Sequence, residues 1–397
     1  MMLRFLTAGE SHGPSLTVIV EGLPAGLAVS IEQVGDELAR RRLGFGRGPR
    51  MRFERDEIRV LGGVRHGRTL GSPVSVEILN SEWPKWVDEM SVAPGEPTRR
   101  LTAPRPGHAD LAGMQKYGFD DARDVLERAS ARETAARVVA GALAKQLLGV
   151  MGVEVLSHVV RIGAATSPDG VRPAPGQRDA VDASEVRCLD PRAADAMIAE
   201  IRAAAKVGDS LGGIAEVLAY GVPVGLGSYV HWDRKLDGLL AGALMSIQAV
   251  KAVEIGDGFA QAAQRGSVAH DAIVRDEGRR ETGGYARRSD HAGGIEGGVS
   301  SGAPLIVRVA MKPLASLNRP VLETVDVATG ASTVSFKERT DVTAVPAMGV
   351  VAEAMTALVL AREAQRKFGG DSVAEFVRNY EGYVDSLGLT VSGARVS

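Results

Sequence analysis

The chain carries one strand–turn–helix pattern twice, which restricts it to folds made of two related halves. Val20-Glu21-Gly22-Leu23-Pro24-Ala25-Gly26-Leu27 is echoed by Tyr220-Gly221-Val222-Pro223-Val224-Gly225-Leu226. In each case an apolar, strand-like run leads in and a helical pattern follows. The first helix is predicted from Ile31 to Leu43, with Ser30 as N-cap and Gln33 completing a capping box; the second runs from about Leu236 to Val253. A later echo pairs Gly71-Ser72-Pro73-Val74-Ser75-Val76-Glu77-Ile78 with Gly302-Ala303-Pro304-Leu305-Ile306-Val307-Arg308-Val309, both alternating as strands do. Long helices are predicted from Ser130 to Leu148 and from Val350 to Phe368. The expectation is a single domain over 1–397, its halves at about 1–165 and 183–390 sharing one core, with the Pro/Asp-rich stretch Thr166–Asp182 as a surface loop between them. Pro24 and Gly71 stand 47 positions apart, Pro223 and Gly302 79, so the second half carries about 32 extra residues. These match the polar stretch Gly256–Gly294, read as a lid over the site.

Hydrophobic residues make up 45% of the chain and its mean hydropathy is near zero, enough for a large core and against disorder. No run of 18 uninterrupted apolar residues occurs, and the N-terminus lacks the basic-then-apolar layout of a signal peptide. Cys188 is the only cysteine, which excludes internal disulfides and thiolate zinc clusters and fits a reducing cytoplasm. A net charge of −2 gives no general pull toward nucleic acid or an anionic membrane.

Chemistry concentrates in loops. Two of the seven histidines sit in short loops bounded by glycine or proline, Gly9-Glu10-Ser11-His12-Gly13 and Arg105-Pro106-Gly107-His108-Ala109-Asp110. Imidazole exchanges protons near neutral pH, so a pair of such loops points to a proton-handling site. Nine of the 47 basic residues are lysine and 38 are arginine; Arg40, Arg41, Arg42, Arg47 and Arg50 crowd one glycine-rich stretch. Guanidinium forks bind carboxylate and phosphate at two points, and glycines between them suit a loop closing over an anion. Ser130-Ala131-Arg132-Glu133 reads as a capping box, flanked by Arg128 and Arg132, and so as a helix N-terminus receptive to phosphate. Asp341, in the charged run that enters the last long helix, is either a helix N-terminal charge or a general base. Met311-Lys312-Pro313-Leu314-Ala315-Ser316 offers a cation and backbone amides on a turn. No metal-ligand set and no Walker or Rossmann glycine spacing is present.

Seven of these motifs stand in the order found in chorismate synthases, and the chain resembles that family from residue 2 to about 370: Gly9–Gly13, Arg40–Arg50, Arg105–Asp110, Arg128–Glu133, Gly293–Gly298, Lys312–Ser316 and Arg339–Ala347. The resemblance implies an α+β fold, a β-α-β sandwich built from two internally related halves, with a helical core between antiparallel sheets. It implies a lyase that converts 5-enolpyruvylshikimate 3-phosphate to chorismate and phosphate by anti-1,4-elimination, in the shikimate pathway to aromatic amino acids. The family requires reduced FMN (FMNH2) without net redox change and is typically a homotetramer.

By the same resemblance Arg41, Arg47, Arg50, Arg105, Arg132 and Arg339 line the anionic substrate pocket. His12, as imidazolium, protonates or stabilises the departing phosphate. His108 stabilises the reduced flavin ring. Asp341, through Ser11, accepts the proton that flavin N5 takes from the substrate ring. FMN contacts carry over to Arg128, Ala129, Ser130, Gln248, Ala249, Gly297, Lys312, Pro313, Leu314, Ala315, Ser316 and Arg339. Some members reduce their flavin with NADPH; this chain shows no added reductase domain, so an external flavin reductase or reductant is expected. One departure stands out: Ser289-Asp290-His291-Ala292 has Asp290 where the family commonly has asparagine. Two other classes share parts of the pattern. A flavin oxidoreductase would need net redox change and a nicotinamide, and a phosphate-metabolite binder would tolerate loss of His12, His108 and Asp341.

Overall fold

The computed structural model describes residues 2–47, 56–319, 321–336 and 340–389. Two antiparallel sheets carry the fold. The first contains β1 (Arg4–Ala8), β2 (Ser15–Glu21), β3 (Ile58–Gly62) and β4 (Val74–Leu79) in the order β1-β2-β4-β3. The second contains β5 (Glu154–Ile162), β6 (Gly213–Tyr220), β7 (Val250–Ile255) and β8 (Leu305–Met311) in the order β7-β8-β6-β5, with the short strand Ala165–Thr166 at its edge. Alternation sets the register. Leu16, Val18 and Val20 face Ile78, Val76 and Val74 across β2 and β4, and all six are buried. In the second sheet Ala215, Val217 and Ala219 face Val309, Val307 and Leu305.

Five helices matter for the site: α1 (Ile31–Arg42), α2 (Arg123–Ala129), α3 (Thr134–Gly149), α4 (Leu236–Met245) and α5 (Val345–Phe368). Alanines and valines give α3 an apolar surface that packs on β2, while α5 packs on β5 and β6. The two helices also pack on each other. They cross at Gly141, where a Cβ would lie 2.3 Å from the Ala354 Cβ. That contact leaves no room for a side chain. Among the described residues α5 alone is long and apolar enough to cross a membrane, and it lies buried between α3 and the second sheet.

The two echoed turns are held by the same hydrogen bonds. Gly26 N–H donates to the Thr69 carbonyl (2.9 Å) and Thr69 N–H to the Leu27 carbonyl (3.0 Å). The Thr69 hydroxyl donates to Pro24 O (2.5 Å) and accepts from Leu27 N–H (2.9 Å). In the second half, Gly225 N–H donates to Ser300 O (2.9 Å), and Ser300 N–H to Leu226 O (2.9 Å). The Ser300 hydroxyl donates to Pro223 O (2.5 Å) and accepts from Leu226 N–H (2.8 Å). A hydroxyl residue at this position, Thr or Ser, supplies both the donor and the acceptor that the turn's backbone needs.

Several boundaries differ from expectation. The helix that opens at Leu236 ends at Met245, and Val250–Ile255 is instead a strand, because its backbone pairs with β8. β5 precedes the interval expected to divide the halves, yet pairs with β6 over its whole length, so the sheets divide near residue 150. Thr166–Asp182 is more than surface loop: Val181 is fully buried, and Asp182 binds Arg40 (2.5 Å) and Arg187 (2.8 Å). Gly256–Gly294 is built rather than open. It forms helices Gly258–Ala262 and Gly266–Ala269 and a hairpin of Ile273–Arg275 with Tyr285–Arg287. The Asp271 carboxylate accepts from the Ser289 hydroxyl and from His291 and Ala292 N–H, and His291 Nδ1 lies 2.6 Å from Asp257. Among the described residues no hydrogen bond joins this segment to His12 or His108.

At the centre lies Glu353 of α5, fully buried. It accepts from Arg40 twice (2.8 and 2.9 Å), Lys145 (2.6 Å), Arg187 (3.0 Å) and the Ser157 hydroxyl (2.6 Å). Burial alone would raise its pKa, but these three cations hold the carboxyl well below the ordinary range. Glu353→Gln leaves buried guanidinium charge uncompensated and is expected to cost about 3–5 kcal/mol of stability, read by urea unfolding.

A second buried carboxylate, Glu216, lies 3.2 Å from His158 Nε2 and accepts from Arg172 (3.0 Å) and Arg308 (2.9 Å). Burial opposes its ionisation, yet the His158 contact and the Arg172 charge outweigh it and bring its pKa down to about 2. A depressed carboxyl stabilises the fold above its unfolded value and loses that contribution as pH falls through the folded one. Stability is therefore expected to drop between about pH 4.5 and about pH 2. Denaturant midpoints should show a shallower drop over this range in Glu216→Gln than in the wild type.

Candidate active site

The His12 loop connects β1 to β2. Gly9 makes the tight entry (φ +99°), since a Cβ there would lie 2.4 Å from the Ser15 carbonyl. Asn80 at the end of β4 donates to the carbonyls of Ser11 (3.3 Å) and Gly13 (2.8 Å), and Ser11 N–H donates to Glu127 O on α2 (2.9 Å). So fixed, His12 meets one carboxylate twice. Its N–H donates to Glu127 Oε2 and its Nδ1 lies 2.8 Å from Oε1, both contacts at 2.8 Å. Its ring lies 3.9 Å from the Trp86 ring at 33°. Burial would raise the Glu127 pKa, but the His12 contacts and Arg123 bring it below the usual value.

His108 is anchored in a parallel way. Its Nδ1 is in short contact with Asp110 Oδ1, and Asp110 also accepts from Arg105 Nε (2.8 Å), Nη2 (3.1 Å) and backbone N–H (3.1 Å). Arg105 Nη2 lies 3.1 Å from His108 Nδ1, Arg105 Nη1 donates to the Ser316 hydroxyl (2.9 Å), and the guanidinium covers the Phe336 ring at 5.1 Å. Lys312 donates to the Gly107 carbonyl. Burial works against ionisation of Asp110, but His108 and Arg105 prevail and hold its carboxyl far below the ordinary range.

The remaining expected residues fall into connected groups. Arg41 and Arg132 converge on Asp56, at 3.7 and 3.3 Å; Arg41 also donates to the Thr134 hydroxyl (3.4 Å) and Arg132 to Leu79 O (3.2 Å). Arg47 pairs with Asp341 at 3.0 Å, and Val342 N–H donates to the Gly46 carbonyl. The Ser11 hydroxyl accepts from Ser130 (3.1 Å). Arg128 donates to the carbonyls of Thr7 (2.8 Å) and Gly9 (3.0 Å), and Ala129 closes α2. Ala249 has φ +65°, unusual for a residue with a Cβ, and its carbonyl accepts from Lys312 N–H (3.0 Å). The Leu314 carbonyl accepts from the Ser210 hydroxyl (2.8 Å), and Pro313 and Ala315 complete the turn beside Gly107. Gly297 stands apart, in the turn joining Ile295–Glu296 to Val299–Ser300. Arg50 and Arg339 lie outside the described residues.

Ser130 does not open an α-helix. Its hydroxyl accepts from Arg132 N–H (3.3 Å) and caps a 3₁₀ turn, Ala131–Glu133, and α3 begins at Thr134. The expected return bond from Glu133 is absent because its buried carboxylate accepts instead from Thr7 (2.8 Å), Arg137 (2.8 Å) and Gln248 (3.2 Å). Glu127, Trp86, Asp56 and Asn80 escape the sequence reading, and Glu133 enters it only as a capping partner. Only Glu127 left a trace, standing four residues after Arg123 and three before Ser130, with Arg123 donating to it (3.2 Å).

Two antiparallel sheets around paired helices, with imidazoles, guanidiniums and carboxylates on the connecting loops, define an α+β protein with an arginine- and histidine-rich candidate site. The chorismate synthase family model matches residues 3–364, and the chain belongs to that family. It is 62% identical over 397 residues to the chorismate synthase of Frankia alni, covering 97% of this chain and 99% of the relative. The chorismate synthases of Salinispora tropica and Streptomyces coelicolor are each 59% identical, covering 97% and 98% of this chain and 99% of each relative. A crystal structure of chorismate synthase superposes with a TM-score of 0.79 at 40% identity, covering 98% of this chain and 99% of that one.

Arg105→Lys is expected to keep the charge but lose the fork that joins Asp110 to Ser316, lowering stability by about 1–3 kcal/mol in urea unfolding.

Proposed function

We propose that this enzyme converts 5-enolpyruvylshikimate 3-phosphate to chorismate and phosphate by anti-1,4-elimination with reduced FMN bound, as a step of the shikimate pathway. The observation that carries the reading is the pair of carboxylate-anchored histidines accompanied by the paired guanidiniums of Arg41, Arg47, Arg105 and Arg132. The substrate bears two carboxylates and a phosphate, which calls for forks rather than point charges. Arg41 and Arg132 face one buried carboxylate in Asp56, and Arg47 and Arg105 each hold another, so all four are arranged to meet anions. His12, with Nδ1 on Glu127, acts through its other nitrogen as the acid toward the departing phosphate. Asp341, held beside Arg47, is the base, and the Ser11 hydroxyl, bonded to Ser130, lies beside His12. Arg50 and Arg339 join the anion set by resemblance.

The residues fit FMN. Gln248 Oε1 is buried without a hydrogen-bond partner, as an acceptor awaiting a ligand N–H would be. Ala249 beside it is held in an uncommon conformation, and Arg128 and Lys312 bring cations. Arg128, Ala129, Ser130, Gln248, Ala249 and Lys312–Ser316 would hold it, with His108 at its ring and Gly297 and Arg339 by resemblance. When bound, reduced FMN supplies an electron-rich ring that assists C–O cleavage and is recovered reduced. The flavin is reduced by an external reductase or reductant rather than by bound NADPH, and the enzyme works in the cytoplasm as a homotetramer. Its single domain is a β-α-β sandwich of two related halves; the matched Thr69 and Ser300 clamps and the matching strand orders support that reading.

An anaerobic assay tests this. With 5-enolpyruvylshikimate 3-phosphate and chemically reduced FMN, chorismate and phosphate are expected in equal amounts while FMN stays reduced, and NADPH with oxidised FMN gives no turnover. FMN binding without either product would favour an oxidoreductase; no FMN binding would leave a phosphate-metabolite binder.

A further inference from the structure

The two histidines are anchored differently. Asp110 takes three donors from Arg105 besides its contact with His108, so its charge is already matched. Glu127 takes two donors from His12 itself and one from Arg123. We infer that Glu127 is the positioning residue for His12: it holds the proton on Nδ1 in both charge states, so that Nε2 is the nitrogen that takes up and gives the second proton, with Trp86 backing the charged ring. The inference rests on the elimination reading above for the role of that nitrogen.

An ionised carboxylate only accepts, so a ring nitrogen 2.8 Å from Glu127 Oε1 carries the proton. The second bond, from His12 N–H to Oε2, stops the carboxylate from swinging away. The Glu127 side chain is 3% exposed and that of His12 12%, so little water competes for either. Nε2 has no hydrogen-bond partner among the described residues. The π-face of Trp86 favours a cation over a neutral ring. Other charges close by are Glu10 on the same loop, Arg123 on α2, which also lies 5.0 Å from the Trp86 ring, and Glu89 and Arg99 on the segment that carries Trp86. In the step this serves, the Nε2–H bond breaks and its proton goes to the phosphate oxygen, which leaves with the electron pair of the C–O bond. The ring is left neutral, with Nδ1–H still on Glu127.

Glu127→Gln offers one acceptor oxygen where His12 presents two donors, and it removes the charge. It is expected to lower kcat on the order of a hundredfold with KM nearly unchanged, and to move the alkaline limb of the kcat profile down by about one pH unit. Glu127→Asp, which keeps the charge, is expected to recover much of kcat. A second readout needs neither flavin nor substrate: the ring ¹⁵N spectrum of wild-type His12 at alkaline pH shows Nδ1–H, and Glu127→Ala shifts it to Nε2–H. An Nε2–H ring in the wild type, or a Glu127→Gln enzyme with unchanged kcat and limb, overturns the inference. If the wild type releases no phosphate at all, the elimination reading fails instead, and the ring spectrum alone decides for or against Glu127.

Discussion

The carboxylate of Glu353 phases the helices that carry Arg41 and Thr134. Its donors come from α1 (Arg40), α3 (Lys145), β5 (Ser157) and the turn before the Pro191–Val207 helix (Arg187), so one buried group fixes four segments against α5. Successive residues of a helix point about 100° apart. Fixing Arg40 inward therefore fixes where Arg41 points, and Arg41 reaches Thr134 and Asp56. Lys145 likewise fixes the rotation of α3, whose first residue is Thr134 and whose entry is the Ser130 turn. Next along α5, Ala354 meets Gly141 of α3 at a distance that only glycine permits. Hydrophobic packing alone would tolerate small rotations of these helices; a bidentate Arg40–Glu353 pair does not.

Charge matching then separates the roles of similar-looking loops. Both histidines place Nδ1 on a buried carboxylate, yet the surroundings differ. His108 shares its carboxylate with Arg105, and Lys312 bonds to the Gly107 carbonyl of its loop, an environment rich in positive charge. His12 has Glu127 nearly to itself and an indole face alongside, which suits a ring that carries positive charge and gives a proton away. Two motifs of the same chemical type thus diverge largely through distant neighbours, Trp86 and Glu127 lying 74 and 115 positions from His12 and Lys312 lying 205 from Gly107.

Features set by short-range chemistry were readable from the residues, and those set by distant partners were not. The Pro24 and Pro223 turns, the alternation of β4 and β8 and the Ser30 cap all follow from local patterns, and the structure has them. The helix expected to continue to Val253 failed because a strand partner, β8, outweighs helical periodicity in a short apolar run. Ser130-Ala131-Arg132-Glu133 has the letters of a capping box, but Glu133 is drawn to Thr7 and Gln248, more than a hundred positions distant. The Gly256–Gly294 stretch reads as an open loop from its polarity, yet its Asp and Ser side chains bind local backbone and build turns. Glu127 left no more than its spacing from Arg123 for the opposite reason: on a helix a glutamate is ordinary until the His12 loop folds onto it.

The echo between the two sheets extends to the connections that carry candidate site residues. In the first half, α1 leads to β3 through a connection that carries Arg47 and docks on Asp341 and Val342. In the second half the equivalent connection, from α4 to β7, is the tight turn holding Gln248 and Ala249. One carries the guanidinium of Arg47 and the other is a turn with Ala249 at positive φ and a buried amide oxygen, Gln248 Oε1, that has no hydrogen-bond partner. The strand orders β2-β4-β3 and β6-β8-β7 are the same, so the two connections occupy matching places in their sheets. Two connections in matching places thus differ in chemistry, one presenting a guanidinium and the other a buried amide oxygen.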